Sequence, residues 1–158
     1  MQIVVISDSH GHGTVVDKII RKESAAEIVV FLGDVVGDIE DLQYEYTDKK
    51  FVIVSGNGDF FSTAPYTSVF KVGDIGVFAT HGHTLRVNYG PGELIKAAKQ
   101  SDCKVALYGH THVPYIGYED GVHIVNPGSC SRTRDGKSNS YAVIDIRDNG
   151  ILPNIIRI

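Results

Sequence analysis

The sequence is poor in the residue types that place a protein in a disulfide-rich or thiolate-metal class. Its 158 residues include two cysteines, one methionine and no tryptophan. Cys103 and Cys130 do not form a CxxC pair, and two cysteines cannot build a disulfide framework. We therefore expect both thiols to be reduced and partly buried.

Long apolar runs and an excess of positive charge are also absent. No stretch approaches the roughly 20 apolar residues of a membrane helix, and the first apolar run, Ile3 to Ile6, is too short for a signal peptide. The net charge of -4 gives no electrostatic reason to bind nucleic acid. These absences predict a cytoplasmic protein with no membrane partner, in which residues 1–158 form a single domain. Association into a homo-oligomer stays open.

Strand and helix patterns alternate in the first part of the chain. Short apolar runs predict buried strands, and apolar residues between them recur at helical spacing. The spacing of Thr14 and Asp17 is typical of a capping box at a helix start. Strands are predicted at 2–7, 27–33 and 51–55, and helices at 14–22 and 38–47. This β-α-β-α-β order predicts a parallel sheet with right-handed crossovers.

The second part of the chain is dominated by paired strands. Gly73-Asp74, Asp120-Gly121 and Asn149-Gly150 each lie between two apolar segments and predict hairpin turns. A helix is predicted at 91–100 and a further strand at 104–109. We therefore predict an α/β protein in which a parallel half joins an antiparallel half, with two packed sheets and helices outside.

Five of the predicted strands end in a carboxylate, an amide or an imidazole. Sites in open α/β sheets form outside the carboxyl ends of the strands, so five such ends would place these side chains around one point. The residues are Asp8 and His10, Asp34, Asn57, His81 and His83, and His110 and His112.

The histidines sharpen this prediction, because six of the seven form His-x-His pairs, at 10/12, 81/83 and 110/112. Imidazole and carboxylate ligands without cysteine are typical of a mixed nitrogen and oxygen site for Mn, Fe, Ni, Zn or Co. The candidate ligands are too many for one ion, whereas two ions sharing a bridging carboxylate would use them all. Gly33, Gly56, Gly82 and Gly109 adjoin the candidate ligands and would let the backbone approach the ions closely.

In order along the chain, these residues form five short motifs that resemble those of the calcineurin-like metallophosphoesterases. The motifs are Asp8-Ser9-His10, Gly33-Asp34, Gly56-Asn57, His81-Gly82-His83 and Gly109-His110-Thr111-His112. Each motif alone is weak, but five in this order are specific. Asn126-Pro127-Gly128-Ser129 and Ser140-Tyr141-Ala142-Val143 are similar to segments of the small YfcE- and MJ0936-type phosphodiesterases, which extends the resemblance over most of the chain.

The resemblance implies a four-layer αββα sandwich, two mixed β-sheets flanked by helices, with a dinuclear metal centre. Carried over residue by residue, it implies a first ion bound by Asp8, His10, Asp34 and His112. Asp34 would bridge to a second ion, which Asn57, His81 and His110 would complete. We expect manganese, with nickel, iron, zinc and cobalt as alternatives. The implied reaction is hydrolysis of a small phosphate ester by in-line attack of a hydroxide shared between the ions.

Gly58 departs from the family pattern, because many relatives have at this position a histidine that donates a proton to the leaving group. Leaving groups of low pKa could react without a donor, another residue could serve, or catalysis could be weak. The nearest candidates in sequence are His83, which could equally be structural, and Asp59, more simply interpreted as a turn carboxylate bonded to nearby amides. We assign catalytic roles to Asp34, Asn57 and His83.

Charged residues elsewhere in the chain allow weaker interpretations. Arg132 and Arg134 could hold a substrate phosphate, or their loop could simply be solvated. The acidic residues between Asp38 and Asp48 are interpreted as a solvated helix face.

The leading hypothesis is a dimetal phosphodiesterase acting on small phosphate esters. Two alternatives stay open: a phosphomonoesterase, including a protein phosphatase, and a non-catalytic scaffold that resembles the protein-binding retromer subunit of this fold. The scaffold need not keep metal ligands, so the presence of all seven candidates favours an enzyme.

Overall fold

The computed structural model describes residues 1–147 and 149–158. In this part of the chain, ten strands form two five-stranded sheets. The strands are β1 (Gln2–Ile6), β2 (Ile28–Phe31), β3 (Lys50–Ile53), β4 (Thr67–Val72), β5 (Ile75–Thr80), β6 (Val105–Leu107), β7 (Tyr115–Glu119), β8 (Val122–Asn126), β9 (Ser140–Arg147) and β10 (Gly150–Arg157). The α-helices are α1 (Gly13–Lys22), α2 (Gly37–Glu40), α3 (Leu42–Glu45) and α4 (Gly92–Gln100), and two 3₁₀ helices, His83–Leu85 and Val87–Tyr89, lie between β5 and α4.

The first sheet has the strand order β10-β9-β1-β2-β3. β1, β2 and β3 run parallel, as their continuous apolar sequences predict, and α1 connects β1 to β2. β9 and β10 extend this sheet as an antiparallel pair beside β1, in agreement with the hairpin predicted there.

The second sheet has the order β4-β5-β6-β8-β7, and its pairing corrects the prediction of an antiparallel half. Its three central strands, β5, β6 and β8, run parallel, and only the edge strands β4 and β7 pair antiparallel. The reason is that α4 carries the chain from β5 back to the start of β6, as in a β-α-β unit. Both sheets are therefore mixed, and with their flanking helices they confirm the predicted α/β fold class.

The main core lies between the two sheets, and two further cores lie under the helices. Alternate residues of each strand point to opposite faces, so Ile3 and Val5 join the inner core while Val4 and Ile6 pack in the cluster that contains the buried face of α1. On the second sheet, Ala106 packs in the cluster that contains the buried face of α4. No helix in the described ranges is long and apolar enough to cross a membrane.

Two local predictions about helices are wrong. The helix predicted at 38–47 is two four-residue turns, α2 and α3, which leave the buried Ile39 as their main anchor in the core. Thr14 does not cap α1, because the helix begins at Gly13 after His12, with no side-chain cap. Asp17 instead accepts hydrogen bonds from the Tyr46 hydroxyl at 2.5 Å and from Nε of Arg21 at 3.0 Å.

Candidate metal centre

Four of the predicted ligands form one compact cluster at the carboxyl ends of the strands. Each of the four offers one ligand atom, and these atoms all lie within 4.8 Å of one another. Three follow strands of the first sheet and the fourth follows β6 of the second sheet, so the cluster straddles the two sheets. The residues are Asp8, His10, Asp34 and His112.

The other three predicted ligands lie beside this cluster. Nε2 of His81 is 3.1 Å from Oδ1 of Asn57 and 3.6 Å from Oδ1 of Asp34. The ring of His110 is 5.1 Å from that of His81, centroid to centroid. The second oxygen of Asp34, Oδ2, faces the first cluster at 4.0 Å from Nε2 of His10. One carboxylate therefore presents an oxygen to each group.

Five of the seven candidate ligands have a left-handed backbone, which sequence reasoning did not anticipate. Positive φ is uncommon for residues other than glycine, and such strain concentrates at functional sites. It turns the chain sharply at each strand end and directs the side chain towards the common point. The φ values are 56° at Asp8, 46° at His10, 61° at Asp34, 66° at His110 and 60° at His112.

Close backbone approach in the loops after β2 and β3 requires glycine. A Cβ placed on Gly56 would lie 2.2 Å from Oδ1 of Asp34, and one on Gly33 would lie 2.3 Å from the nitrogen of Gly56. Both distances are shorter than any side chain tolerates. Gly33 and Gly56 therefore allow these two loops to approach each other, whereas the predicted approach of the backbone to the ions stays a prediction.

Backbone carbonyls orient two of the imidazoles. Nδ1 of His81 is 2.7 Å from the Leu32 carbonyl and Nδ1 of His112 is 2.6 Å from that of Arg132. A carbonyl can only accept, so Nδ1 carries the proton in both rings and Nε2 faces the cluster. Metal-binding histidines are typically held in this way.

One carboxylate oxygen of Asp8 accepts hydrogen bonds from the protein, and the other faces the cluster of candidate ligands. Oδ2 accepts from the Ser7 hydroxyl at 2.6 Å and from the His110 amide at 3.1 Å. Oδ1 is buried without a hydrogen bond of regular geometry, and Nε2 of His112 lies 3.2 Å away. Such a buried, unsatisfied oxygen amid imidazole nitrogens and a second carboxylate fits a divalent cation.

The electrostatics of the cluster follow from burial and from the Asp8–His112 contact. Burial is the largest single influence on both groups and disfavours their charged forms, but the opposing contacts together outweigh it. His112, His81 and Ser7 lower the pKa of Asp8, and Asp8 with the Arg132 carbonyl raises the pKa of His112. Burial, by contrast, lowers the pKa of His10 and that of His110. These two imidazoles are therefore neutral near pH 7 and have a lone pair available to a metal.

The weaker predicted residues lie around the centre in different ways. The ring of His83 is 5.4 Å from that of His81 and makes an edge contact with Tyr66 at 5.5 Å. Burial lowers the pKa of His83. Arg132 is exposed, and its charge is close enough to contribute to the lowered pKa of His10. Arg134 likewise opposes protonation of His112.

Three polar residues outside the predicted ligand set shape the site. Asp38, interpreted from sequence as solvated, accepts a 2.5 Å hydrogen bond from the Ser9 hydroxyl and a 2.9 Å bond from the Gly11 amide. Asn126 donates to the Gly109 carbonyl at 2.9 Å, and Ser129 donates to the Asp8 carbonyl at 2.7 Å. The Asn-Pro-Gly-Ser segment was the only sequence signal for the last two.

Comparison with known families decides the relationship of this chain. Residues 1–149 match the calcineurin-like phosphoesterase superfamily domain. The chain belongs to this superfamily. The family resemblance drawn from the five motifs is therefore confirmed, and the four residues that it implies for a first ion form a candidate metal-binding cluster.

Relatives of this superfamily domain include both a phosphodiesterase and a sorting protein. The chain is 31% identical to phosphodiesterase YfcE of Escherichia coli over 92% of this chain and 88% of the relative. It is 33% identical to vacuolar protein sorting-associated protein 29 of Schizosaccharomyces pombe, over 74% of this chain and 58% of the relative. The crystal structure of a predicted phosphoesterase from Streptococcus pneumoniae superposes on this chain with a TM-score of 0.85. The two chains are 28% identical, and the match covers 99% of this chain and 88% of the other.

Proposed function

We propose that this protein is a dimetal-dependent phosphodiesterase that hydrolyses small phosphate esters. The observation that carries the proposal is Asp34, whose two oxygens face two groups of nitrogen and oxygen ligands, with Oδ1 at 3.6 Å from His81 and Oδ2 at 4.0 Å from His10. Asp8, His10 and His112 would share the first ion with Asp34. Asn57, His81 and His110 would hold the second, with manganese the expected metal.

The chemistry of this site follows from its ligands. Two divalent ions bound there would lower the pKa of a shared water and neutralise charge on the phosphate as the P–O bond breaks. The protein contributes the geometry of the ligands. The carbonyls of Leu32 and Arg132 orient the imidazoles of His81 and His112, respectively. The amide of Gly58 donates to Oδ1 of Asp34 at 2.8 Å. Little reorganisation is then needed when a substrate binds.

Proton delivery to the leaving group sets the expected substrate range. His83 is the candidate donor beside the second group of ligands, but its lowered pKa leaves it neutral near pH 7. Both oxygens of the Asp59 carboxylate accept hydrogen bonds from backbone amides. Weak proton delivery favours esters with leaving groups of low pKa, for which no strong acid is needed.

Arg132 and Arg134 are the candidate contacts for the substrate phosphate. Among the described residues, no carboxylate lies within 4.0 Å of either guanidinium. Arg132 acts on the imidazole of His10 and Arg134 on that of His112, which supports a position of both charges close to the first cluster. A guanidinium without a carboxylate partner is available to bind phosphate oxygens in bidentate fashion.

Substrate preference is tested by comparing a diester with a monoester. Both bis-p-nitrophenyl phosphate and p-nitrophenyl phosphate release the same phenolate, so a difference in rate reports the preference for a diester or a monoester. With Mn²⁺ supplied, we expect the protein to hydrolyse the diester with the higher kcat/KM. Arg132→Ala should raise KM for the diester more than it lowers kcat. A higher kcat/KM for the monoester would replace the diesterase assignment with a phosphomonoesterase.

A binding scaffold is the second candidate, favoured by the 33% identity to vacuolar protein sorting-associated protein 29. It predicts no turnover of either ester above buffer with Mn²⁺ present. Metal retained without turnover would favour this candidate, whereas metal-dependent turnover would exclude it as the sole function.

A further inference from the structure

Asp59 lies two residues after Asn57, and its carboxylate is saturated by backbone amides. Oδ2 accepts hydrogen bonds from Asp34 at 2.9 Å and Gly56 at 2.8 Å. Oδ1 accepts from Val35 at 3.0 Å and Val36 at 2.7 Å. Three of these four donors are consecutive residues of the loop after β2, the loop that carries Asp34.

The loop that Asp59 holds is strained. Asp34 has φ of 61° and Val35 has φ of 84°, and a β-branched residue at positive φ is a genuine outlier. Successive amides in such conformations form a concave nest that binds an anion. In this chain the anion is the Asp59 carboxylate, supplied from the neighbouring loop. The strained conformation therefore has an identifiable cause that holds it in place.

The two loops bind each other reciprocally. Asp59, in the loop after β3, accepts from the amide of Asp34, while the side chain of Asp34 accepts from the amide of Gly58 at 2.8 Å. Oδ1 of Asp34, the oxygen in this contact, is the one that faces His81. The position of Asp34 between the two ligand groups therefore depends on the same contacts that hold its backbone.

We propose that Asp59 is a positioning residue that holds the strained Asp34–Val36 loop so that Asp34 faces both metal sites. The proposal rests on the metal centre put forward above. Asp59 acts through the backbone of Asp34 and does not itself touch metal or substrate. Its carboxylate is unavailable as a proton donor because four amides occupy its oxygens.

The test substitutes Asp59 and measures the protein before and after metal addition. Asp59→Asn replaces one acceptor oxygen by an NH₂ group that faces backbone donors, so the two nest hydrogen bonds accepted by that oxygen are lost. In metal-free protein, amide hydrogen exchange at residues 34–36 should become faster than in the wild type. By calorimetry, Mn²⁺ affinity should fall about 10- to 100-fold, the range for residues that orient metal ligands.

A second substitution separates positioning from a general loss of stability. Val35→Gly removes the penalty for positive φ at that residue, so Asp59→Asn/Val35→Gly should bind Mn²⁺ about tenfold more tightly than Asp59→Asn alone. The matched control is Asp17→Asn on α1, which removes a carboxylate that accepts hydrogen bonds from Arg21 and Tyr46. It should lower thermal stability while leaving Mn²⁺ affinity unchanged.

The possible outcomes separate this proposal from the proposed function. Wild-type amide protection at 34–36 in Asp59→Asn, or wild-type Mn²⁺ affinity, would overturn the positioning role. If the wild type itself binds no Mn²⁺, the dimetal function fails, while the exchange measurement still decides whether Asp59 holds the loop. Should Asp59→Asn not fold, Asp59→Glu keeps the charge but displaces the oxygens, and the same faster exchange and weaker binding are expected.

Discussion

At the scale of single residues, the chemistry of the site was predictable but its conformation was not. The choice of Asp8, Asp34 and the imidazoles rested on their positions after apolar runs, and the structure brings them together. The left-handed backbone of five of them could not be predicted, because local preference disfavours it and only contacts with distant residues stabilise it. The role of Asp59 was only partly visible, since the donors at Asp34, Val35 and Val36 belong to another loop.

The Asp8–His112 contact gives a pH-dependent prediction for the metal-free protein. The folded-state pKa of His112 is raised above the ordinary 6.5, so its contribution to stability is complete below about pH 6.5. That contribution is lost as the pH rises through the raised value. Urea unfolding should therefore show the stability difference between wild type and His112→Gln to be largest near pH 6 and smaller at pH 8.

His123 provides a control of opposite sign for the pH prediction. Its pKa is lowered by burial, and its ring lies in β8 at 4.7 Å from the ring of Tyr118 in β7. The neutral form is favoured in the folded state, so its contribution is present above about pH 6.5 and lost as the pH falls. The wild type should lose stability relative to His123→Gln on acidification. A difference for His112→Gln that does not change with pH would contradict the assigned ion pair.

At the scale of elements, continuous apolar runs predicted the buried strands, while pairing and short helices were harder. β1 and β2 follow the prediction closely because nearly all of their residues are buried, and β3 pairs parallel with β2 at the edge of the sheet although it is only partly buried. The parallel alignment of β6 with β8 arises because the β7–β8 hairpin places β8 beside β6, a non-local choice. The broken helix at 38–47 shows tertiary contacts overriding periodicity, since Asp38 serves the loop of His10.

The loops after β2 and β3 pack so closely that a single methyl group should disrupt them. Gly56→Ala would place Cβ 2.2 Å from Oδ1 of Asp34, so the loops must separate. We expect a loss of about 1–3 kcal/mol in the free energy of unfolding, typical of overpacking, together with weaker Mn²⁺ binding. Gly37→Ala is the matched control, because a Cβ there meets no atom within 4 Å. Equal stability of both variants would contradict the packing described here.

At the scale of the whole molecule, the two sheets each supply part of the candidate metal centre. Asp8, Asp34 and Asn57 follow strands of the first sheet, whereas His81 and His112 follow strands of the second. The sandwich brings these strand ends to one edge, which explains why ligands distant in sequence meet. We propose that residues 1–158 fold as one unit, because a site shared between the sheets requires both.

The central claim is that Asp34 joins two metal sites that together hydrolyse a phosphodiester. The most direct test adds Mn²⁺ to metal-free protein and follows hydrolysis of bis-p-nitrophenyl phosphate in the wild type and in Asp34→Asn. We predict that wild-type activity saturates near two Mn²⁺ per chain, and that Asp34→Asn folds but loses at least about 100-fold in rate, the upper end of the loss caused by mutating residues that merely orient metal ligands. An Asp34→Asn rate equal to that of the wild type, or a wild type inactive with Mn²⁺ bound, would contradict the claim.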